Sequence, residues 1–221
     1  MQKQTKLLIV GRTASGKDYL ADFLKKKYGL SKVHSYTTRP KRRNEANTHI
    51  FLENGIQRTY FLENRYEIEG TIEGKPVFFT NEEIIAYTKI NHHIYFATKQ
   101  QLEESDIYVI DPEGLKELLS KTDDRNIYRI IYVNTSENNR KAQFLNREKI
   151  QDVNSAQFQN RNQSESARFE KFETEELSSL PHAIIVHNQV ELSDEVNFKE
   201  VIKLVESELG IPDKIHYLNR G

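Results

Sequence analysis

Four short runs of β-branched, leucine and tyrosine residues set the limits on this fold: Leu7 to Val10, Ile107 to Ile110, Ile127 to Val133 and Ala183 to Val186. Each is largely apolar without alternation, the pattern of a strand buried on both faces. Helical periods separate them. Leu20, Phe23, Leu24 and Tyr28 fall on one helix face, with Gly29 placed to end the helix. Val201, Ile202, Val205 and Leu209 repeat the pattern near the end, with Gly210 and Pro212 as stop signals. Strands alternating with helices predict an α/β fold, a mainly parallel sheet flanked by helices.

A length of 221 residues suits one well-cored domain, or one domain carrying a small lid or insertion. Lys+Arg 32 against Asp+Glu 33 leaves a formal charge of -1. No global basic field is present, which argues against nucleic acid and acidic membranes as partners, so an anion site must come from local clustering. The chain has no cysteine, which excludes disulfides, thiolate zinc sites, iron–sulfur clusters and cysteine nucleophiles. No run approaches the ~20 apolar residues of a membrane span, and the apolar stretch in MQKQTKLLIV is shorter than a signal peptide requires. The expectation is a soluble cytoplasmic protein, monomeric or homodimeric.

Two regions break the rhythm. From about Glu53 to Thr80 the sequence reads as short strands with turn glycines at Gly55, Gly70 and Gly74. Within it, His49-Ile-Phe-Leu-Glu-Asn54 and Thr59-Tyr-Phe-Leu-Glu-Asn64 form a near repeat that suggests duplicated strands. From Ser136 to about Glu176 the chain is rich in Asn, Gln, Glu and Arg, which predicts a pair of solvated helices outside the main core, over the sheet edge and able to move.

Gly11-Arg12-Thr13-Ala14-Ser15-Gly16-Lys17 fits G-x-x-x-x-G-K, directly after the first strand and before the first helix. Glycines at this spacing let the backbone ring its N–H groups around phosphate oxygens, the helix N-terminus adds partial positive charge, and the lysine reaches the outer phosphates. The next position, where a Ser or Thr hydroxyl would bind Mg²⁺, is Asp18. A carboxylate is also a hard-oxygen ligand, and equally a first-turn acid favoured by the helix dipole. Asp111, closing the run Ile107 to Ile110, is a second metal candidate, with a loop cap before Pro112 as the alternative.

Ser35-Tyr-Thr-Thr-Arg39-Pro-Lys-Arg42-Arg43 places four cations within five residues among hydroxyls, the mixture a phosphate monoester requires. Here the sequence resembles the guanylate kinase family of P-loop nucleoside monophosphate kinases, whose acceptor arm carries S-x-T-T-R-x-x-R. The resemblance implies that Ser35, Arg39 and Arg42 bind the acceptor phosphate, with His49 where the family has a tyrosine. Ile85 to Tyr95, Ile110-Asp111-Pro-Glu-Gly114 and Ile184-Ile-Val-His-Asn188 resemble later family segments in order, and Tyr95 matches a family tyrosine. Arg140, Arg147, Arg161 and Arg168 occupy the stretch where the family has its arginine-bearing lid.

The departures fall where the family reads guanine. Ala86 stands in place of its glutamate, Ala97 in place of a small hydroxyl residue unless Thr98 serves, and Val109 in place of an aspartate. A methyl cannot accept from guanine's N1–H, and a site built on hydrogen bonds loses most of its discrimination without them.

The resemblance therefore implies a P-loop kinase core at 1–34, 99–135 and 180–221. An acceptor-binding arm would span 35–98, with a β-rich insertion at about 53–80, and a helical lid would span 136–179. The implied activity is transfer of the ATP γ-phosphoryl group to a nucleoside monophosphate, GMP, dGMP or another base. In that assignment residues Gly11 to Asp18 hold ATP and Lys17 with lid residues Arg147 and Arg161 is catalytic. Ser35, Arg39, Arg42, His49 and Tyr95 hold the acceptor, and Asp18 and Asp111 hold Mg²⁺. Three alternatives stay open: a P-loop kinase for a different phosphorylated acceptor, a catalytically silent nucleotide-binding module, and a metal-dependent hydrolase using His92-His93 or His49.

Overall fold

The computed structural model describes residues 5–42, 45, 48–60, 65–122, 127–149, 156–189 and 191–209. Arg43, Gly210, Pro212 and residues 61–64 of the near repeat lie outside them. In chain order the elements are β1 (Lys6–Val10), α1 (Lys17–Tyr28), β2 (Tyr36–Thr37), β3 (Ile50–Phe51), β4 (Glu53–Tyr60), β5 (Arg65–Ile72) and β6 (Lys75–Thr80). There follow β7 (Ile84–Ile90), β8 (His93–Thr98), α2 (Lys99–Glu103), β9 (Ile107–Val109), α3 (Pro112–Ser120) and β10 (Tyr128–Asn134). Last come α4 (Glu137–Glu148), α5 (Ala156–Lys171), β11 (Ala183–His187), α6 (Asp194–Asn197) and α7 (Lys199–Glu208), with a π-helical turn over Phe172–Glu176. The chain divides into two compact units.

The first unit comprises Met1–Lys32, Asp106–Pro112 and Asp124–Gly221. Its sheet has the order β11-β10-β1-β9 with every pairing parallel. The four apolar runs are these four strands. All five residues of β1 are buried, which is why its sequence does not alternate. On one face Leu7, Ile9, Ile131 and Val133 pack with Leu20, Leu24 and Tyr28 of α1 and with Val201 and Val205 of α7. Gly29 ends α1 in the left-handed conformation at φ 74°, donating its N–H to the Lys25 carbonyl at 2.9 Å. On the other face Tyr132 meets Phe172, ring centroids 5.7 Å apart.

The polar stretch does form two helices, α4 and α5, but it is more than a solvated cover. Phe144, Phe158, Phe169 and Phe172 are all buried, and Phe144 packs its ring on Phe158 at 5.6 Å. Isolated phenylalanines among Asn, Gln and Glu carry enough apolar area to hold a helix down, although the stretch around them still reads as polar.

The second unit comprises Val33–Ser105 and Glu113–Asp123. It holds one sheet of order β3-β2-β8-β7 and a three-stranded antiparallel meander, β4-β5-β6. Leu52, Ile68, Ile84, Ile94 and Phe96 form its core, with Tyr36, Tyr66 and Phe79 packed against them. Of the three glycines expected in turns, only Gly74 is in one. Gly55 and Gly70 lie inside β4 and β5, where a Cβ would come within 2.5 Å of Thr38 Cγ2 and 3.1 Å of the Glu53 carbonyl oxygen. They are there for close approach. In the described part of the near repeat, Ile50–Phe51 is a two-residue strand of one sheet, whereas Thr59 and Tyr60 end β4 in the other.

Phe198 is fully enclosed between the rings of Tyr19 and Phe23, at 6.3 and 5.4 Å. Phe198→Ala is expected to cost about 3–5 kcal/mol of folding stability, read as a lowered midpoint in urea unfolding. A loss below about 1 kcal/mol would show that this ring is not part of the core.

Candidate functional site

The loop between β1 and α1 is built by its two ends and by two side chains from neighbouring strands. β1 is fixed by burial, α1 begins at Lys17, and residues 11–16 must reverse direction between them. Ala14 and Gly16 do so with positive φ, 58° and 91°. Gly16 has no room for a side chain either, since a Cβ would fall 2.6 Å from Asn188 Nδ2; one on Gly11 would fall 2.4 Å from Ser15 Oγ. The Ser15 carbonyl accepts from Thr135 Oγ1 at 2.7 Å and from Asn188 Nδ2 at 3.0 Å. In a trans peptide the C=O and the following N–H point in opposite directions, so the Gly16 N–H is aimed away from those two side chains. Lys17 folds back over the loop, donating from Nζ to the Arg12 carbonyl at 3.3 Å, and the Ser15 N–H donates to the same carbonyl at 3.1 Å. A glycine N–H and a lysine ammonium at the N-terminus of a helix are groups suited to an anion.

Polar residues of α4, α5 and the π-helical turn meet the rim of the loop. Glu165 accepts from Thr13 N at 3.0 and 3.1 Å and from Thr13 Oγ1 at 2.8 Å. Arg140 lies 3.5 Å from Glu165 and donates to Asn162 Oδ1 at 2.9 Å. Arg12 forks onto Glu173 at 2.7 and 2.8 Å, with its guanidinium over the Phe169 ring, and the Tyr132 hydroxyl donates to the same carboxylate. Burial works to raise Glu173, but the Arg12 fork and the Tyr132 hydroxyl outweigh it and hold the group below the ordinary carboxylate range. Burial acts on Arg140 to lower its basicity, and Glu165 offsets this in part. Arg140 Nε and Arg168 Nε are buried without a hydrogen-bond partner among the described residues.

The four arginines expected in a lid divide into two groups. Arg147 and Arg161 both stack on Phe144, at 5.4 and 5.5 Å, and Arg147 also pairs with Glu148. Arg140 and Arg168 are the ones in contact with the loop rim and with Asp111: Arg168 lies 3.4 Å from Asp111 Oδ2. The sequence-based expectation named the first pair as catalytic.

The two metal candidates differ in setting. The Ile110 N–H donates to the Ile9 carbonyl at 3.0 Å, which places Asp111 beside the end of β1 where the loop begins. Asp18 sits in the first turn of α1 with its side chain more than half exposed, 3.3 Å from Lys32 Nζ. Among the described residues no group of three or more His, Cys, Asp or Glu is arranged to hold a metal. His92 is in the β7–β8 turn at φ 66° and His93 begins β8, so the pair makes a hairpin corner, not a hydrolase metal site.

In the second unit a cluster forms around Arg39. Its Nε donates to the Tyr95 hydroxyl at 3.1 Å, and its terminal nitrogens donate to Glu45 at 2.9 and 2.6 Å. Ser35 Oγ lies 2.9 Å from His49 Nδ1, and the His49 ring meets Tyr95 edge-on at 5.8 Å. Arg42 adds its backbone N–H to Glu45 at 3.1 Å. Four of the five proposed acceptor residues therefore make direct side-chain contacts, and Arg42 joins them through its backbone. Sequence reasoning missed Glu45, although its spacing of six from Arg39 across a basic loop was readable. Ala86 and Ala97 are buried, and Val109 packs on the first unit's core, so none of the three offers a polar group to a base.

No protein-family model matches the chain, and no curated protein does. Among solved structures, guanylate kinase from Anaplasma phagocytophilum is similar at 13% identity and a TM-score of 0.49, over 95% of this chain and 89% of that one. A likeness that low assigns no residue a role. No helix among the described residues is long and apolar enough to cross a membrane.

Burial acts to raise Glu45, but the Arg39 fork, the Arg42 N–H and both positive charges prevail and hold it at about 2. A depressed folded pKa contributes stability that is complete above the unfolded value near 4.5 and is lost as pH falls through about 2. Glu45→Gln is therefore expected to lower the melting temperature at pH 7 and to match the parent near pH 2. An equal deficit at both pH values in thermal melts would contradict this.

Proposed function

We propose that the protein is a P-loop phosphotransferase of the nucleoside monophosphate kinase type, moving the γ-phosphoryl group of ATP to a phosphorylated acceptor. The observation that carries this reading is the loop at 11–17, with the Gly16 N–H aimed away from Thr135 and Asn188 and Lys17 folded back over it at the N-terminus of α1. Residues 11–18 hold the ATP phosphates, and Lys17 offsets charge on the β- and γ-groups. Ser35, Arg39, Arg42, His49 and Tyr95 hold the acceptor phosphate, with the Arg39 fork exchanging Glu45 for phosphate oxygens.

Segment 136–179 is the lid, 35–98 the acceptor arm and 53–80 its insertion. Arg147 and Arg161 close over the transferring group; Arg140 and Arg168, each with a buried donor to spare, support it from the loop side. Closure excludes water, which otherwise competes as acceptor. In the transfer an acceptor oxygen attacks the γ-phosphorus while the β–γ bridging oxygen leaves.

Mg²⁺ keeps several waters and takes one or two carboxylates besides phosphate oxygens. Asp111, beside the loop, fits that requirement with Arg168 3.4 Å away, and Asp18, in the first turn of α1, fits it with Lys32 3.3 Å away; in each case the ion would share the carboxylate with that cation. When bound, the ion would neutralise charge on the phosphates.

The buried methyls of Ala86 and Ala97 favour an acceptor that is not read as guanine, and they support a second reading in which the acceptor is a phosphorylated molecule other than a nucleotide. One assay tests both: ATP and Mg²⁺ against a panel of ribo- and deoxynucleoside monophosphates and sugar phosphates, with a no-acceptor control. GMP is expected to gain less than about tenfold over other bases. Transfer to GMP with the strong preference of a guanylate kinase would contradict the reading of Ala86, Ala97 and Val109. Lys17→Ala is expected to cut turnover by about 10²–10³-fold with unchanged melting, and full activity in that variant would overturn the proposed mechanism.

A further inference from the structure

We infer that Glu165 is an internal anion that latches α5 to the rim of the phosphate loop, so that a nucleotide's phosphates must displace it to bind. The inference rests on the reading of 11–17 as a phosphate loop. Glu165 is 6% exposed and lies 152 residues from Thr13 along the chain, yet it spends its acceptors on that one residue's N–H and hydroxyl. A buried carboxylate requires compensation. The compensation is Arg140, itself 4% exposed, 3.5 Å from Glu165 and within 3.5 Å of the Thr13 carbonyl oxygen.

The group at the loop rim is thus a carboxylate with a guanidinium beside it. A terminal phosphate needs the same kinds of partner, amide N–H, hydroxyl and arginine fork, and carries the same sign of charge. Glu165 and a phosphate held by the loop would repel each other at close range. Arg12 with Glu173 ties the π-helical turn, about two helical turns further along, to the loop, so withdrawal of Glu165 loosens a segment, not one side chain. Arg140, freed of Glu165, keeps its bond to Asn162 and has its remaining donors, the unpartnered Nε among them, for the arriving phosphate.

The test uses the full chain with ATP and, separately, inorganic tripolyphosphate, by titration calorimetry on the parent, Glu165→Gln and Lys17→Ala. Glu165→Gln keeps the shape and an acceptor for Thr13 and removes the charge. Binding to Glu165→Gln is expected to be roughly tenfold tighter than to the parent, the order set by losing one like-charge contact. Hydrogen exchange on the parent needs no variant: peptides covering 156–171 are expected to exchange faster with ATP than without. Equal or weaker binding by Glu165→Gln, or slower exchange in 156–171 on ATP addition, would overturn the latch. If that binding still depended on Lys17, the phosphate-loop reading would stand. Absence of binding in both parent and Glu165→Gln would overturn the latch and that reading together.

Discussion

The loop from Gly11 to Lys17 hangs from the burial of β1. Its five residues are enclosed by strands on either side and by apolar side chains on both faces, so the point at which the chain leaves the sheet, Gly11, cannot shift without disturbing the core. From there six residues must reach the first turn of α1, whose own position is set by Leu20, Leu24 and Tyr28 against the same sheet. A short connection between two fixed ends has few conformations. The positive φ values at Ala14 and Gly16 and the anchoring of Ser15 by Thr135 and Asn188 select the one in which the Gly16 N–H turns away from those two side chains.

The second organising feature is that four arginines around the candidate site hold carboxylates of the chain itself. Arg39 holds Glu45, Arg12 holds Glu173, Arg140 holds Glu165 and Arg168 holds Asp111. A buried guanidinium without a partner would be costly, and these pairs remove that cost when no other anion is present. They also explain how a chain of nearly zero net charge can carry local clusters of arginine. Any phosphate that binds does so by exchange, and its affinity is set by the difference between two anions at the same donors.

The sheet and its two helices were legible because their signals are local: continuous apolar runs for β1, β9, β10 and β11, and i, i+3, i+4 spacing for α1 and α7. The loop was legible for the same reason, being a strand, a glycine pattern and a helix in succession. Gly55 and Gly70 were misread because a glycine demanded by close approach looks the same in sequence as one demanded by a turn. The role of Phe144, Phe158, Phe169 and Phe172 was hidden by their polar neighbours. Glu165 and Glu173 could not have been found at all from spacing, since their partners lie 152 and 161 residues away and nothing local distinguishes them from the chain's other carboxylates.

The central claim is that the loop from Gly11 to Lys17 receives phosphate through its backbone donors. The most direct measurement is the amide ¹H–¹⁵N spectrum of the protein titrated with ATP. Amide protons that take up charge-assisted hydrogen bonds move downfield, so the largest downfield shifts are expected at Gly16 and Lys17, with Thr13 changing as Glu165 leaves. Saturable ATP binding that leaves Gly16 and Lys17 unmoved while other resonances shift would contradict the account.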